Sequence, residues 1–136
     1  MRPKFTASLA LRGFEMTPQE VESIVGRPAS LSVARGESRK VGTKPFHKSA
    51  VSWKLDFPDS VRLDEMIPTL IESLGGLENL MNARAVIQPE LVEVDVTMWI
   101  IDSTEQEGGF FDPETIAVLG RLGASLSLGF YAPSDA

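Results

Sequence analysis

The chain has 136 residues, of which 43% are hydrophobic and 24% charged, and its formal net charge is −6. This length and composition predict one globular domain over residues 1–136, large enough to bury a hydrophobic core without a covalent or metal staple. The sequence contains no cysteine, which excludes disulfide bonds, thiolate zinc sites and a cysteine nucleophile.

The first predicted strand is followed directly by a helix. Apolar and polar residues alternate over residues 4–12, which is typical of a half-buried strand. A helix is predicted to begin next, because Thr17 suits the N-cap, Pro18 suits the first helical position and Glu20 completes a capping box. Gly26 is expected to end this helix after about two turns.

Two more strands are predicted on either side of a charged loop. Residues 30–35 indicate a short strand, and residues 49–57 alternate again, which indicates a longer one. Between them, residues 36–48 contain two glycines, one proline and many charges, so they are predicted to form a loop. This loop is longer than most connections, which favours a functional role.

Two consecutive helices are predicted in the middle of the chain. Residues 61–74 carry apolar residues at helical spacing, but Pro68 interrupts the pattern. We therefore expect a kink, or a helix that begins nearer Asp64 or Glu65. A glycine pair ends this helix, and a shorter helical segment is predicted to continue to about Arg84.

The last third of the chain predicts a strand, a helix and a final strand. Residues 91–101 form the clearest alternating pattern. Residues 102–112 are predicted to be an acidic, glycine-containing loop that ends on Asp112, a suitable N-cap for the next helix. Residues 124–131 form the predicted final strand. Its apolar side chains are expected to face the core: Leu126, Leu128 and Phe130.

These elements follow the order βαββα(α)βαβ, with an ordered core predicted over residues 4–131. Each strand has one apolar and one polar face, which favours an antiparallel or mixed sheet covered by helices on one side. We therefore predict an α+β fold, a ferredoxin-like sandwich with a mostly antiparallel sheet of about five strands and the helices on one face. The order of the strands in the sheet stays open at this point.

Several short motifs occur in a recognisable order along most of the chain. They are Thr17-Pro18-Gln19-Glu20-Val21, Val25-Gly26-Arg27-Pro28, Arg35-Gly36-Glu37, Asp112-Pro113-Glu114 and Leu119-Gly120-Arg121-Leu122-Gly123-Ala124. In this order they resemble the bacterial domain of unknown function family 4279, from about Phe5 to Tyr131. The resemblance implies a small cytoplasmic α+β domain without an assigned activity, and it carries over no catalytic residues.

Neither a catalytic group nor a metal site stands out from the sequence. His47 is the only histidine, so it cannot build a multi-histidine site, and as a general base it would need an orienting partner. The carboxylates of residues 102–114 do not follow the spacing of a calcium-binding loop, and Asp112 already serves as a helix cap. We predict no catalytic residue, no metal and no cofactor, and we lean against an enzyme.

The charge is divided unevenly along the chain. Residues 1–54 contain ten Lys/Arg and four Asp/Glu, a net of +6, whereas residues 55–136 contain three and fifteen, a net of −12. Much of the basic excess lies in residues 35–48, which sum to +4. The side chains proposed there for binding are Arg35, Arg39, Lys40, Lys44 and His47. A single aromatic residue among them and the acidic net charge argue against a nucleic-acid partner.

The polar face of the predicted sheet is a second candidate surface. Most of its side chains are small, and Trp99 and Tyr131 share their parity along the strands. An uncovered face of this kind is a shallow floor with aromatic edges, which suits a protein partner or self-association.

These observations favour a non-catalytic protein-binding module that uses the sheet face and the 36–48 loop, with an immunity-type inhibitor as one version. The alternative is a small-ligand sensor or an enzyme that uses the loops at 36–48 and 102–112. The identity of the partner stays open. The longest apolar runs are only a few residues, so we expect a cytoplasmic protein with no membrane partner.

Overall fold

The computed structural model describes residues 5–33, 49–99 and 109–131. Its strands are β1 (Phe5–Arg12), β2 (Leu31–Val33), β3 (Ala50–Phe57), β4 (Leu91–Trp99) and β5 (Ala124–Tyr131). Its helices are α1 (Pro18–Val25), α2 (Leu63–Ser73), α3 (Leu77–Ile87) and α4 (Pro113–Leu122). None of the helices in these three segments is both long and apolar enough to cross a membrane.

The five strands form one sheet in the order β2-β3-β1-β4-β5. Neighbouring strands are antiparallel except β4 and β5, which are parallel. Strand β3 therefore lies between the parallel strands β1 and β2, and β1 lies between the parallel strands β3 and β4. These are two interleaved split β-α-β units, the ferredoxin-like arrangement, which β5 extends at the β4 edge. The predicted α+β class with a five-stranded, mostly antiparallel sheet is confirmed.

The strand register separates an apolar face from a polar face of the sheet. Leu9 of β1 pairs with Trp53 of β3 and with Val94 of β4, and all three side chains belong to the hydrophobic core shared with the helices. The preceding residue of β1, Ser8, pairs with Asp95 of β4. Because side chains alternate between the faces of a sheet, the small and charged residues point away from the helices.

Helix α1 has the capping box that the sequence predicts. The Glu20 backbone N–H donates to Thr17 Oγ1 at 3.2 Å, and the Thr17 backbone N–H donates to Glu20 Oε1 at 3.4 Å. The helix ends at Gly26, whose φ of 83° is a left-handed conformation that glycine adopts without strain.

Helix α2 begins at Leu63, one residue before Asp64, and continues through Pro68. Pro68 is exposed, and its missing N–H removes one internal hydrogen bond of the helix. Packing of the opposite side offsets this loss, because Met66, Ile67 and Leu70 are almost inaccessible to solvent. Helix α3 runs to Ile87, beyond the predicted end near Arg84.

Side-chain donors satisfy the carbonyl groups at the ends of two helices. Asn79 Nδ2 donates to the carbonyl oxygens of Val25 and Leu74, at 2.9 and 2.8 Å. These carbonyls lie at the C-terminal ends of α1 and α2, where the helix itself supplies no donor. One amide on α3 therefore ties the ends of two helices together.

Strand β5 matches its predicted range, but its apolar side chains are less buried than predicted. Leu126 is half-buried, whereas Leu128 is 44% exposed and Phe130 57% exposed. The prediction that these three side chains face the core was therefore wrong for Leu128 and Phe130. The reason is the position of β5 at the edge of the sheet, where the helical layer ends.

Candidate functional site

A groove of about 350 Å³ lies between helices α2 and α4 on the helical side of the sheet. From α2 and the turn after it, the lining residues are Ile67, Pro68, Ile71, Glu72 and Gly76. From α4 and its N-cap they are Asp112, Glu114, Thr115 and Val118. The two walls are more than 35 residues apart in the sequence, so only the fold brings them together.

The floor of the groove is apolar. Ile67 and Ile71 belong to the buried stripe of α2, and half-buried Val118 packs against the same core from α4. Exposed Pro68 adds ring carbons to the α2 wall. Such a floor can bind the apolar side chains of a ligand, because their burial removes hydrocarbon surface from water.

The rim of the groove is acidic. Glu72, Asp112 and Glu114 line it, and no Lys or Arg is among the described residues that line the groove. Glu72 and Glu114 are exposed, and neither side chain forms an ion pair within the described segments. The groove therefore presents negative charge that no described cation neutralises, which favours cationic ligand groups.

Asp112 has a structural role in this rim. Its Oδ1 accepts a hydrogen bond of 2.7 Å from the backbone N–H of Thr115 and caps helix α4. Hydrogen bonds from the backbone and side chain of Thr115 lower the pKa of the Asp112 carboxyl below its ordinary value of 3.8. The carboxylate is therefore charged over the physiological range and fixes the entrance of α4 beside the groove.

The basic candidates from the sequence lie outside the described residues. This applies to Arg35, Arg39, Lys40, Lys44 and His47, and also to the 36–48 loop and most of the acidic loop that contain the opposed charges. They stay predictions.

The aromatic candidates lie at the end of the β4–β5 ladder. The backbones of Trp99 and Tyr131 are register partners. The Tyr131 ring is half-exposed and lies back over Gly129, where an added Cβ would come within 2.9 Å of Tyr131 Cε2. An aromatic edge on the polar face is thus present at Tyr131, and Gly129 provides the space for it.

The polar sheet face carries Asp95 and two pairs of opposite charges. Arg12 Nε lies 3.2 Å from Glu93 Oε2, and Lys54 Nζ lies 4.0 Å from Asp56 Oδ1. Paired charges on a wet surface attract a charged partner less than unpaired charges do. The face is therefore a weaker candidate than the groove.

The described part of the chain offers no group of three or more His, Cys, Asp or Glu side chains that could hold a metal ion. Sequence reasoning identified the apolar stripe of α2 and the cap at Asp112 but missed the groove. The available signal was the helical spacing of Ile67, Ile71 and Val118 together with the neighbouring carboxylates. That signal does not indicate that α2 and α4 lie side by side.

One family model matches the chain. It is described as a domain of unknown function (DUF4279), and the match covers residues 3–133. No curated protein and no solved structure matches the sequence.

Proposed function

We propose that this chain, which belongs to the DUF4279 family, is a non-catalytic protein-binding module whose α2–α4 groove takes a basic, apolar segment of its partner. The observation that carries the proposal is the combination of an apolar floor with an acidic rim in one groove. We place the module in the bacterial cytoplasm, and inhibition of a cognate protein, as in immunity proteins, is one form that the binding would take.

The floor supports a ligand that inserts aliphatic or aromatic side chains. Ile71 and Val118 lie on opposite walls, so a side chain between them would contact both helices. Burial of one medium-sized apolar side chain contributes about 1.5–3 kcal/mol before the cost of ordering the ligand. One or two such anchors are the usual centre of a protein interface.

The rim supports a ligand with lysine or arginine beside those anchors. Glu72 and Glu114 lie at the rim contributed by different helices, so cations on both sides of an apolar anchor would match them. Rim charges mainly increase the association rate and exclude acidic competitors, and salt screens this effect. We therefore expect binding to weaken as ionic strength rises.

The pKa of the Asp112 carboxyl fits a structural role in the rim of the groove. Its capping hydrogen bond with Thr115 lowers that pKa. Catalytic acids and bases usually have a pKa shifted toward neutral pH, whereas the pKa of Asp112 is shifted away from it.

Selection from a random peptide library displayed on phage tests the proposal. Peptides selected on the wild type should be enriched in Lys or Arg next to apolar residues. They should bind the double variant E72K/E114K at least about tenfold more weakly, because its rim charges are reversed. The variant E15K/E78K has the same net charge and changes exposed glutamates outside the groove, so it should bind like the wild type.

Two results would contradict the proposal. One is a set of selected peptides with no basic bias, and the other is equal loss of binding in E72K/E114K and E15K/E78K. Circular dichroism and thermal melting of both variants show whether each is folded.

A second candidate function is a sensor of a small apolar cation. The groove volume of about 350 Å³ lies near the lower end of the range for small-ligand sites. A thermal-shift panel of alkylammonium and benzylammonium ions, each beside the alcohol of the same shape, separates this function from peptide binding. Stabilisation by the ammonium ions but not the alcohols supports the sensor, and no shift with either series argues against it.

A further inference from the structure

We propose that strand β5 pairs with the β5 strand of a second copy of this chain, so that two sheets join into one. The inference is independent of the groove, because it rests on the opposite side of α4 and on the free edge of the sheet. Among the described residues, β5 has a strand neighbour on one side, β4, and its other edge faces outward.

Within the described residues, the β5 edge lacks the features that usually protect an edge strand. Natural edges are short, bulged, or carry charges or proline. β5 has eight residues, Ala-Ser-Leu-Ser-Leu-Gly-Phe-Tyr, with no charge and no proline. Its register against β4 is continuous from Ala124 to Tyr131, without a bulge that would turn the edge away. Within the described part of the chain, the backbone groups of residues 124–130 that do not face β4 are therefore available to a partner strand.

The apolar side chains beside this edge are exposed. Leu128 is 44% and Phe130 57% exposed on the helical side of β5. Ile116 of α4 is 59% exposed. Residues two positions apart on a helix lie on nearly opposite sides, so Ile116 points away from the groove residues Glu114 and Val118. Because α2 packs over β1 and β3 while α4 packs over β5, this flank of α4 is turned toward the free edge.

A second copy fits this edge better than an unrelated strand. Antiparallel pairing of β5 with itself about a two-fold axis normal to the sheet joins side chains of the same face. In the register centred on Leu128, Phe130 of each copy lies beside Leu126 of the other, and Leu128 meets its own counterpart. No like charges meet, because β5 has none. The two strands therefore have equal length, place their apolar faces on the same side of the joined sheet and bring no like charges together.

The other edge of the sheet explains why the assembly would stop at two copies. Strand β2 has three described residues, Leu31–Val33, against eight in β5. The described part of that edge offers few hydrogen bonds to a further chain. Pairing through β5 alone gives a closed dimer instead of a fibre.

Exposed apolar side chains beside the edge supply surface for such a dimer. An aromatic side chain has about 150–250 Å² of surface, so Phe130 at 57% exposure leaves about 100 Å² in each copy. Leu128, Ile116 and the backbone of eight residues add to this, and the two-fold axis doubles every contribution. These contributions count toward the roughly 1,000 Å² that a specific interface needs.

Sedimentation velocity of the full chain over a wide concentration range tests the inference. The wild type should move from the monomer mass of 14.8 kDa toward twice that mass. The variant Leu128→Lys should weaken dimerisation by at least about tenfold, because two lysines would meet at the axis. Val86→Lys, at a 61% exposed position on α3, is the matched control and should dimerise like the wild type.

One further variant and one further measurement keep the test decisive. Ser127→Lys changes an exposed polar residue of β5 and serves if Leu128→Lys does not fold. Hydrogen exchange of the amides of residues 124–131 should slow as the concentration rises, while that of β2 should not change. A chain that stays at 14.8 kDa over the whole range overturns the inference, and so does a dimer that Leu128→Lys and Ser127→Lys both leave intact.

Discussion

The hydroxyl of Ser49 forms two hydrogen bonds with the backbone of Phe14. The Phe14 N–H donates to Ser49 Oγ at 3.2 Å, and Ser49 Oγ donates to the Phe14 carbonyl at 3.0 Å. Both residues are buried, with Ser49 only 3% exposed. One side chain therefore satisfies the donor and the acceptor of a residue in the β1–α1 connection, at the point where β3 begins.

We predict that Ser49→Ala destabilises the fold. The substitution leaves the buried N–H and carbonyl of Phe14 without these partners, and an unsatisfied buried group costs about 1–3 kcal/mol. Urea unfolding of the full chain measures the loss in the free energy of unfolding. Ser32→Ala, at an exposed position of β2, is the control and should change that free energy by less than about 0.5 kcal/mol. Equal stability of both variants would show that the Ser49 bonds contribute nothing.

We predict that Asp112→Ala lowers the melting temperature more at neutral pH than in strong acid, where the protonated carboxyl remains a neutral cap. The pKa of Asp112 is lower in the folded chain than its ordinary value of 3.8, so the cap stabilises the folded chain fully above that value. This stabilisation is lost as the pH falls through the folded-state pKa. The melting-temperature difference between wild type and variant should therefore be constant near neutral pH and shrink below about pH 4.

Asp112→Asn separates the charge from the cap. Asparagine is also a good N-cap but does not titrate in this range. The Asn variant should therefore melt above the Ala variant, by a margin that does not change between neutral and acid pH. The melting-temperature margin of the wild type over the Ala variant should shrink in acid. If the margin of the Asn variant over the Ala variant shrank in the same way, titration of Asp112 would not be the cause.

We predict that Gly109→Ala destabilises the fold through a clash with α2. A Cβ at position 109 would lie 2.6 Å from Leu63 Cβ and 2.7 Å from Leu63 Cδ2. Leu63 is buried and cannot move away freely, so the overpacking should cost about 1–3 kcal/mol in the free energy of unfolding. Urea unfolding measures it.

Gly120→Ala is the control for Gly109, with the opposite expected sign. Gly120 lies inside α4, and a Cβ there would meet nothing within 4 Å. Replacing a helical glycine by alanine should stabilise the chain by about 0.5–1 kcal/mol. The clash argument fails if both substitutions shift the unfolding free energy in the same direction.

Much of the fold could be predicted because its signals are local. The cap at Thr17, the glycine at the end of α1 and the alternation of β4 each depend on residues a few positions apart. Alternation also assigned each strand residue to a face. It could not show whether that face is covered, which is why Leu128 and Phe130 were expected in the core.

The groove could not be predicted because it depends on how two helices pack. Ile71 and Val118 each belong to an apolar helical pattern, which explains why their side chains pack against the core. The space between them depends on the distance between the helices and on the side chains that fill it. The carboxylates at the rim were visible in the sequence, but their proximity to α2 was not.

The four strands β1 to β4 complete the ferredoxin-like arrangement by themselves, and α4 with β5 is added at one edge. The groove has one wall in each part, and the free edge belongs wholly to the addition. Both surfaces that we assign to partners therefore arise from a C-terminal appendage of about twenty residues, 113–131. A relative of this chain that lacked the appendage would keep the basic architecture and lose both means of recognition at once.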